Sequence, residues 1–94
     1  MTTSSRLDQY DKIHIEARTL FAKKNADYGD AFADYGPIGV LVRIGDKLRR
    51  AQNIHSEGIT LIDTETVRDT LVDLHNYTAM AVMLLDESKE SKES

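Results

Sequence analysis

Apolar residues in this chain recur three and four positions apart through three long stretches, and the pattern is punctuated in only two places. The first stretch carries Leu7, Tyr10, Ile13, Ala17, Leu20 and Phe21. The second carries Ile38, Leu41, Ile44, Leu48 and Ala51, and the third Val67, Leu71, Leu74, Thr78, Ala81 and Leu85. That spacing brings each set to one side of a 3.6-residue helical turn. The chain is therefore expected to be all-α, a small three-helix antiparallel bundle with a short connector.

The punctuation supports the same division. "AKKNADYGDAFADYG", residues 22–36, repeats Ala-Asp-Tyr-Gly and is followed by the single proline, Pro37. Gly29 suits a helix C-terminus, because glycine takes positive φ without a Cβ clash. Pro37 suits the first turn of the next helix, where a missing N–H costs nothing. The first helix is expected from a cap at Ser4 or Ser5 to about Asp27, and the second from about Pro37 to His55. Gly39 and Gly45 either weaken the second helix or allow a close approach or kink. "SEGI" around Gly58 reads as a loop. Asp63 or Thr64 then caps a third helix over about Glu65 to Asp86. "DESKESKES" has no apolar residue and reads as a disordered solvating tail. The domain is thus 1–86 and the charged tail 87–94.

With 94 residues the chain has room for one domain of thin stability margin. A net charge of −4 argues against general binding to DNA or RNA polymers, though not against a small anion held by a few local cations. There is no cysteine, hence no disulfide and no thiolate metal site. No apolar run approaches the roughly 20 residues of a membrane helix, and no signal-peptide pattern is present, so a soluble intracellular protein is expected. The third helix is apolar on a second side as well, at Val72, Ala79 and Met83 beside Asn76. A helix apolar on two sides is buried on two sides. With three helices available, the second side is expected to meet another copy of the chain; a different partner or a loosely covered surface is the alternative.

Three constellations could carry chemistry. Arg43, Lys47 and Arg50 form a cationic stripe with Asp46 alongside; it reads equally as a solvated face with ion pairs, such as Asp46 with Arg50 or Arg43 with a carboxylate of the third helix. Asp69 and Asp73, one turn apart with Asn76 following, could share Mg²⁺ or could pair with arginines across the bundle. Lys23 and Lys24 near a helix end, with Tyr10, Tyr28 and Tyr35, offer cation and flat aromatic together, as a nucleotide requires. Their plainer reading is Tyr10 in the core, tyrosines packing the connector and lysines in solvent. No P-loop, GxGxxG, nucleophile elbow or HExxH is present, and His14, His55 and His75 sit singly on separate elements.

"KKNADYGDAF", "YGPIGVLVRIGDKLRR" and "ETVRDTLVDLHNYTAMAVML" together resemble the nucleotide-modification-associated domain family of phages, itself similar to the all-α MazG-type nucleoside triphosphate pyrophosphohydrolases. The resemblance spans roughly Tyr10 to Leu85, and its short members bind the cyclic oligonucleotide messengers of bacterial CBASS immunity as hexameric sponges. The resemblance implies a homohexamer in the host cytoplasm that sequesters cyclic di- and trinucleotides, such as cyclic GMP–AMP, without cleaving them. It implies Tyr10 and Lys24, with Lys23 as rival, at the dinucleotide. Asn25 lies beside them, and Arg68 falls at a three-fold trinucleotide pocket. The enzymatic relatives hold Mg²⁺ on Glu-x-x-Glu and Glu-x-x-Asp pairs. Here the second helix offers only Asp46 in its central part, and Thr70 stands three residues before Asp73. A binding protein with no catalytic residue, metal or cofactor is therefore expected. The rivals are a Mg²⁺-dependent pyrophosphohydrolase using Asp46, Asp69 and Asp73, an accessory of phage nucleotide modification, and a purely structural oligomer.

Overall fold

Two glycines decide where the first helix stops and the second begins. Gly29 (φ 62°) and Gly36 (φ 68°) both adopt the left-handed region, and they bracket the connector. The computed structural model describes residues 3–56 and 61–93, with side chains over 5–27, 29–54 and 65–89. Helix α1 spans Thr3–Tyr28, a short 3₁₀ helix spans Ala31–Tyr35, α2 spans Gly36–Ser56 and α3 spans Leu61–Glu93. The described residues contain no strand, so the all-α expectation holds.

At the end of α1 the Gly29 N–H donates to the Asn25 carbonyl at 2.7 Å, closing the helix as a left-handed C-terminal glycine does. The Ala33 N–H donates to the Asp30 carbonyl at 2.9 Å and starts the 3₁₀ turn. Pro37 then falls in the first turn of α2, as expected. Gly39 permits a close approach: a Cβ there would lie 2.7 Å from the Tyr35 Cβ, so the connector packs directly onto α2.

Several boundaries differ from the sequence expectation. Helix α1 starts at Thr3, so Ser4 and Ser5 lie within its first turn. Asp63 and Thr64 likewise lie inside α3. Helix α3 runs on to Glu93, past the end of the apolar pattern, where the segment 87–94 was expected as a disordered tail. The loop expected around Gly58 lies outside the described residues.

Helices α2 and α3 form an antiparallel pair. Val40, fully buried, packs with Ala81 and Leu84, while Lys47 further along α2 reaches back to Asp73 and Tyr77. Phe32, Ile44, Tyr77 and Met80 close over the cluster. Helix α1 is not a third parallel rod. Its contacts with α3 join Glu16 to Arg68, Ala17 to Asn76 and Lys24 to Asp73. Those pairs follow no single register, so α1 crosses α3. The crossing is centred on Ala17, which is fully buried, and the buried Asn76 amide donates to the Ala17 carbonyl at 2.9 Å.

The apolar stripes are real but their phases differ from the expected ones. Of the α1 stripe only Ala17 is buried, while Leu7 and Tyr10 are 58% and 60% exposed. On α2, Val40 replaces Ile38, Leu41 and Leu48 as the core residue; these three are exposed. Of the second side expected on α3, Val72 is buried inside the chain beside Asn76, where α1 crosses, while Ala79 and Met83 stay exposed. A further uncovered side is Leu71, Thr78, Val82 and Leu85, about 130° round the helix from Val72 and Asn76. Leu41 and Leu48 of α2 extend that same side of the pair. The buried apolar residues among those described are Ala17, Val40, Ala51, Val72, Ala81 and Leu84. Half of them are alanines, so the core contained in one chain is thin.

Candidate functional site

On the side of the α2–α3 pair that faces α1, the end of α1, the connector, α2 and the middle of α3 line an open cavity of about 360 Å³. That volume is at the lower end of the range of small-molecule sites. Its apolar walls are Phe21, Phe32 and Met80; its polar lining includes Lys24, Asn25, Arg43 and Asp73, with Tyr35 and Tyr77 contributing rings. Phe21 meets Phe32 edge to face at 6.2 Å, which ties α1 to the connector.

Each charged group in this corner is held by another element. Asp73 on α3 receives Lys24 of α1 at 3.2 Å and Lys47 of α2 at 3.6 Å. Lys47 also stands 5.2 Å above the Tyr77 ring. The Arg43 guanidinium lies 4.6 Å over the Tyr35 ring and donates to the Tyr35 hydroxyl at 3.2 Å. The Asn25 side-chain amide, in the orientation its neighbours require, donates to the Gly29 carbonyl (2.8 Å) and to Asp30 (3.3 Å). Asn25 therefore braces the turn that forms the cavity rim.

Lys24 and Asn25 are the expected site residues that the fold brings to this cavity. Lys23 is exposed beside them but does not line it. Tyr10 stands fourteen residues before Lys24 on the same helix, about 21 Å away along its axis. Its ring is stacked with His14 at 6.4 Å, and His14 meets His75 edge-on at 5.7 Å. The His75 Nδ1 is buried there with no hydrogen-bond partner among the described residues. Arg68 lies elsewhere again. It makes a two-pronged pair with Glu16, at 2.7 and 2.8 Å. That hydrogen bond, with the attraction of the guanidinium, holds the Glu16 carboxyl below the usual carboxylate range against a smaller opposing effect of desolvation. The same bond raises Arg68 above its ordinary value. Tyr10, Lys24 and Arg68 of a single chain thus do not converge.

The carboxylates do not gather either. Asp46 pairs with Arg49 at 3.8 Å rather than with Arg50, Asp73 is taken by two lysines rather than arginines, and Asp69 is exposed. Among the described residues no group of three or more His, Asp or Glu is placed to hold a metal ion. No helix among them is long and apolar enough to cross a membrane.

Sequence reasoning named Arg43, Lys47 and Asp73 but left open whether they were paired charges. It missed Tyr77 and Phe32. The signal for Tyr77 was its place one turn after Asp73, on the same side of α3. Tyr35 belongs to both readings, since it packs the connector and lines the cavity; the Tyr28 side chain lies outside those described.

Residues 24–85, more than half of the chain, match the family described as nucleotide modification associated domain 1. Lys24, Asn25, Arg43, Asp73 and Arg68 fall inside that match and Tyr10 precedes it. No curated protein and no solved structure matches the chain.

Proposed function

The chain belongs to the nucleotide modification associated domain 1 family, and from that premise we propose that it binds a cyclic oligonucleotide and sequesters it uncleaved. The ligand class is a cyclic di- or trinucleotide immune messenger such as cyclic GMP–AMP. Its removal in the host cytoplasm would block bacterial CBASS immunity. The observation that carries this reading is the position of Lys24: a cation at the rim of an aromatic-walled cavity, with Arg43 and Lys47 on the neighbouring helix. Cations beside flat rings are what phosphates and bases ask for.

The separation of Tyr10 from Lys24 bears on how such a ligand is held. About 21 Å of helix keeps both from touching one small ligand within a chain. In an assembly, Tyr10 of one copy and Lys24 of another meet the same molecule. A two-fold axis then presents each group twice to a ligand that is itself nearly two-fold symmetric. Two uncovered apolar surfaces support such an assembly. One is the N-terminal half of α1, with Leu7, Tyr10, Ile13 and Ile15. The other is the side of the α2–α3 pair away from α1, with Leu41, Leu48, Leu71, Val82 and Leu85. Two distinct surfaces per subunit allow two kinds of axis, as a hexamer built on both two-fold and three-fold axes requires. Arg68 at a three-fold axis, released from Glu16 to a trinucleotide phosphate, completes the reading.

One incubation tests it. The protein is mixed with cyclic GMP–AMP, separated from free ligand, denatured and chromatographed. Intact ligand recovered with the protein is the expected result. A cleaved product would replace this reading by a pyrophosphohydrolase, and no retained nucleotide would end it.

A further inference from the structure

Among the described residues lining the cavity Asp73 is the single carboxylate, and α1 and α2 both reach it on α3. Its two oxygens are divided between two ammonium groups, Oδ1 to Lys24 of α1 at 3.2 Å and Oδ2 to Lys47 of α2 at 3.6 Å. Arg43, one turn before Lys47, lines the same cavity and is partnered there by the neutral Tyr35 among the described residues. Two cations therefore hold one anion, and a third lines the same cavity. The pairs are partly open to water, since the side chains of Lys24, Lys47 and Asp73 are 51%, 30% and 23% exposed. A pair of that kind is held weakly and exchanges partners readily. A phosphate offers the same lysines more oxygens and at least equal charge, in charge-assisted hydrogen bonds.

We propose that Lys24 and Lys47 form a phosphate subsite and that Asp73 is its resident anion, which an entering phosphate displaces. This deepens the nucleotide-binding reading and rests on it for the identity of the natural ligand, though the subsite itself needs only a phosphate. Asp73 then sets affinity by competition. It keeps two cations from repelling one another in the empty protein, and it raises the ligand concentration needed to fill the site. Lys47, which the sequence offered only as one of a cationic stripe, becomes a binding residue.

The substitution Asp73→Asn removes the charge and keeps the shape. Calorimetry at fixed ionic strength, with inorganic pyrophosphate and separately with cyclic GMP–AMP, compares it with the parent. Pyrophosphate should bind Asp73→Asn at least tenfold more tightly. Adding Lys47→Ala should abolish the gain. Asp69→Asn, one turn earlier on α3 and off the cavity, makes the same change in net charge and should leave affinity as in the parent. Unchanged or weaker pyrophosphate binding by Asp73→Asn overturns the proposal, as does an equal gain from Asp69→Asn or a failure of either protein to bind pyrophosphate. If Asp73→Asn does not fold, the parent alone decides. The Asp73 carboxyl carbon resonance must move as pyrophosphate is added, and a stationary resonance at saturation overturns the displacement. The two ligands separate the two readings. A gain for pyrophosphate without any cyclic GMP–AMP binding ends the cyclic-nucleotide reading and keeps the subsite. Cyclic GMP–AMP binding without a gain for either ligand does the reverse.

Discussion

The two halves of α1 carry the same apolar periodicity and meet different fates. Its C-terminal half is fixed on three sides: Ala17 is buried against α3, Phe21 meets Phe32, and Lys24 is paired with Asp73. Its N-terminal half, with Leu7, Tyr10 and Ile15, is largely bare, and each of these residues is more than half exposed. Amphipathic spacing therefore states that a face must be covered, not what covers it. In the C-terminal half the cover is α3 and the connector. For the N-terminal half the described residues supply none, and the proposed assembly does.

Substitutions at Ala17 and Leu7 should split these halves apart. Ala17→Leu forces an isobutyl group into the crossing and should cost about 1–3 kcal/mol. The loss should show in chemical denaturation and be independent of protein concentration. Leu7→Gln should leave the stability of dilute single chains within about 0.5 kcal/mol of the parent. It should instead lower the mass reported by light scattering at higher concentration. If Leu7→Gln unfolded the dilute protein, the N-terminal half would be covered within the chain after all.

Asn76 probes the crossing without touching either half. Its amide is buried and donates to the Ala17 carbonyl. Asn76→Ala removes that bond, while the Ala17 carbonyl stays in the hydrogen-bond ladder of α1, and should cost about 0.5–1.5 kcal/mol. Hydrogen exchange should then speed up in the second half of α1 more than in α2.

The smallest effect belongs to Glu16 and Arg68, at the boundary between the halves. The Arg68 hydrogen bond holds the folded-state pKa of Glu16 below that of the unfolded chain. The carboxylate therefore contributes stability above the ordinary glutamate range, and that contribution fades as pH falls through the depressed folded value. Both side chains are about half exposed, so the effect is modest and salt weakens it. A carbon-detected titration should place Glu16 below the usual carboxylate range, and Arg68→Ala should return it to that range.

How much of this was legible before the structure follows from the same physics. Gly29, Gly36 and Pro37 announced the connector, because each has a local backbone reason to be there. The three helices were legible from their periods. Their phases were not. Ile38, Val40, Leu41 and Val42 crowd one stretch of α2, and only contact with α3 selects Val40 for the core. The same ambiguity placed Val72 on a free face when it meets α1. Lys24 and Asn25 could be singled out at a helix end, but the pairing of Lys24 and Lys47 on Asp73 joins residues far apart in the chain, which no spacing rule reports. The distance from Tyr10 to Lys24 was legible, since both lie on one helix and fourteen residues fix their separation.

Calorimetry of cyclic GMP–AMP binding to the parent, Lys24→Ala and Lys23→Ala tests the central claim most directly, each protein first checked for intact assembly. A charge-assisted hydrogen bond contributes about 1.5–3 kcal/mol, and a two-fold site loses it twice. The account predicts binding by the parent, a loss of about a hundredfold or more for Lys24→Ala, and near-parental affinity for Lys23→Ala. Parental affinity in Lys24→Ala, or no binding by the parent, would contradict it.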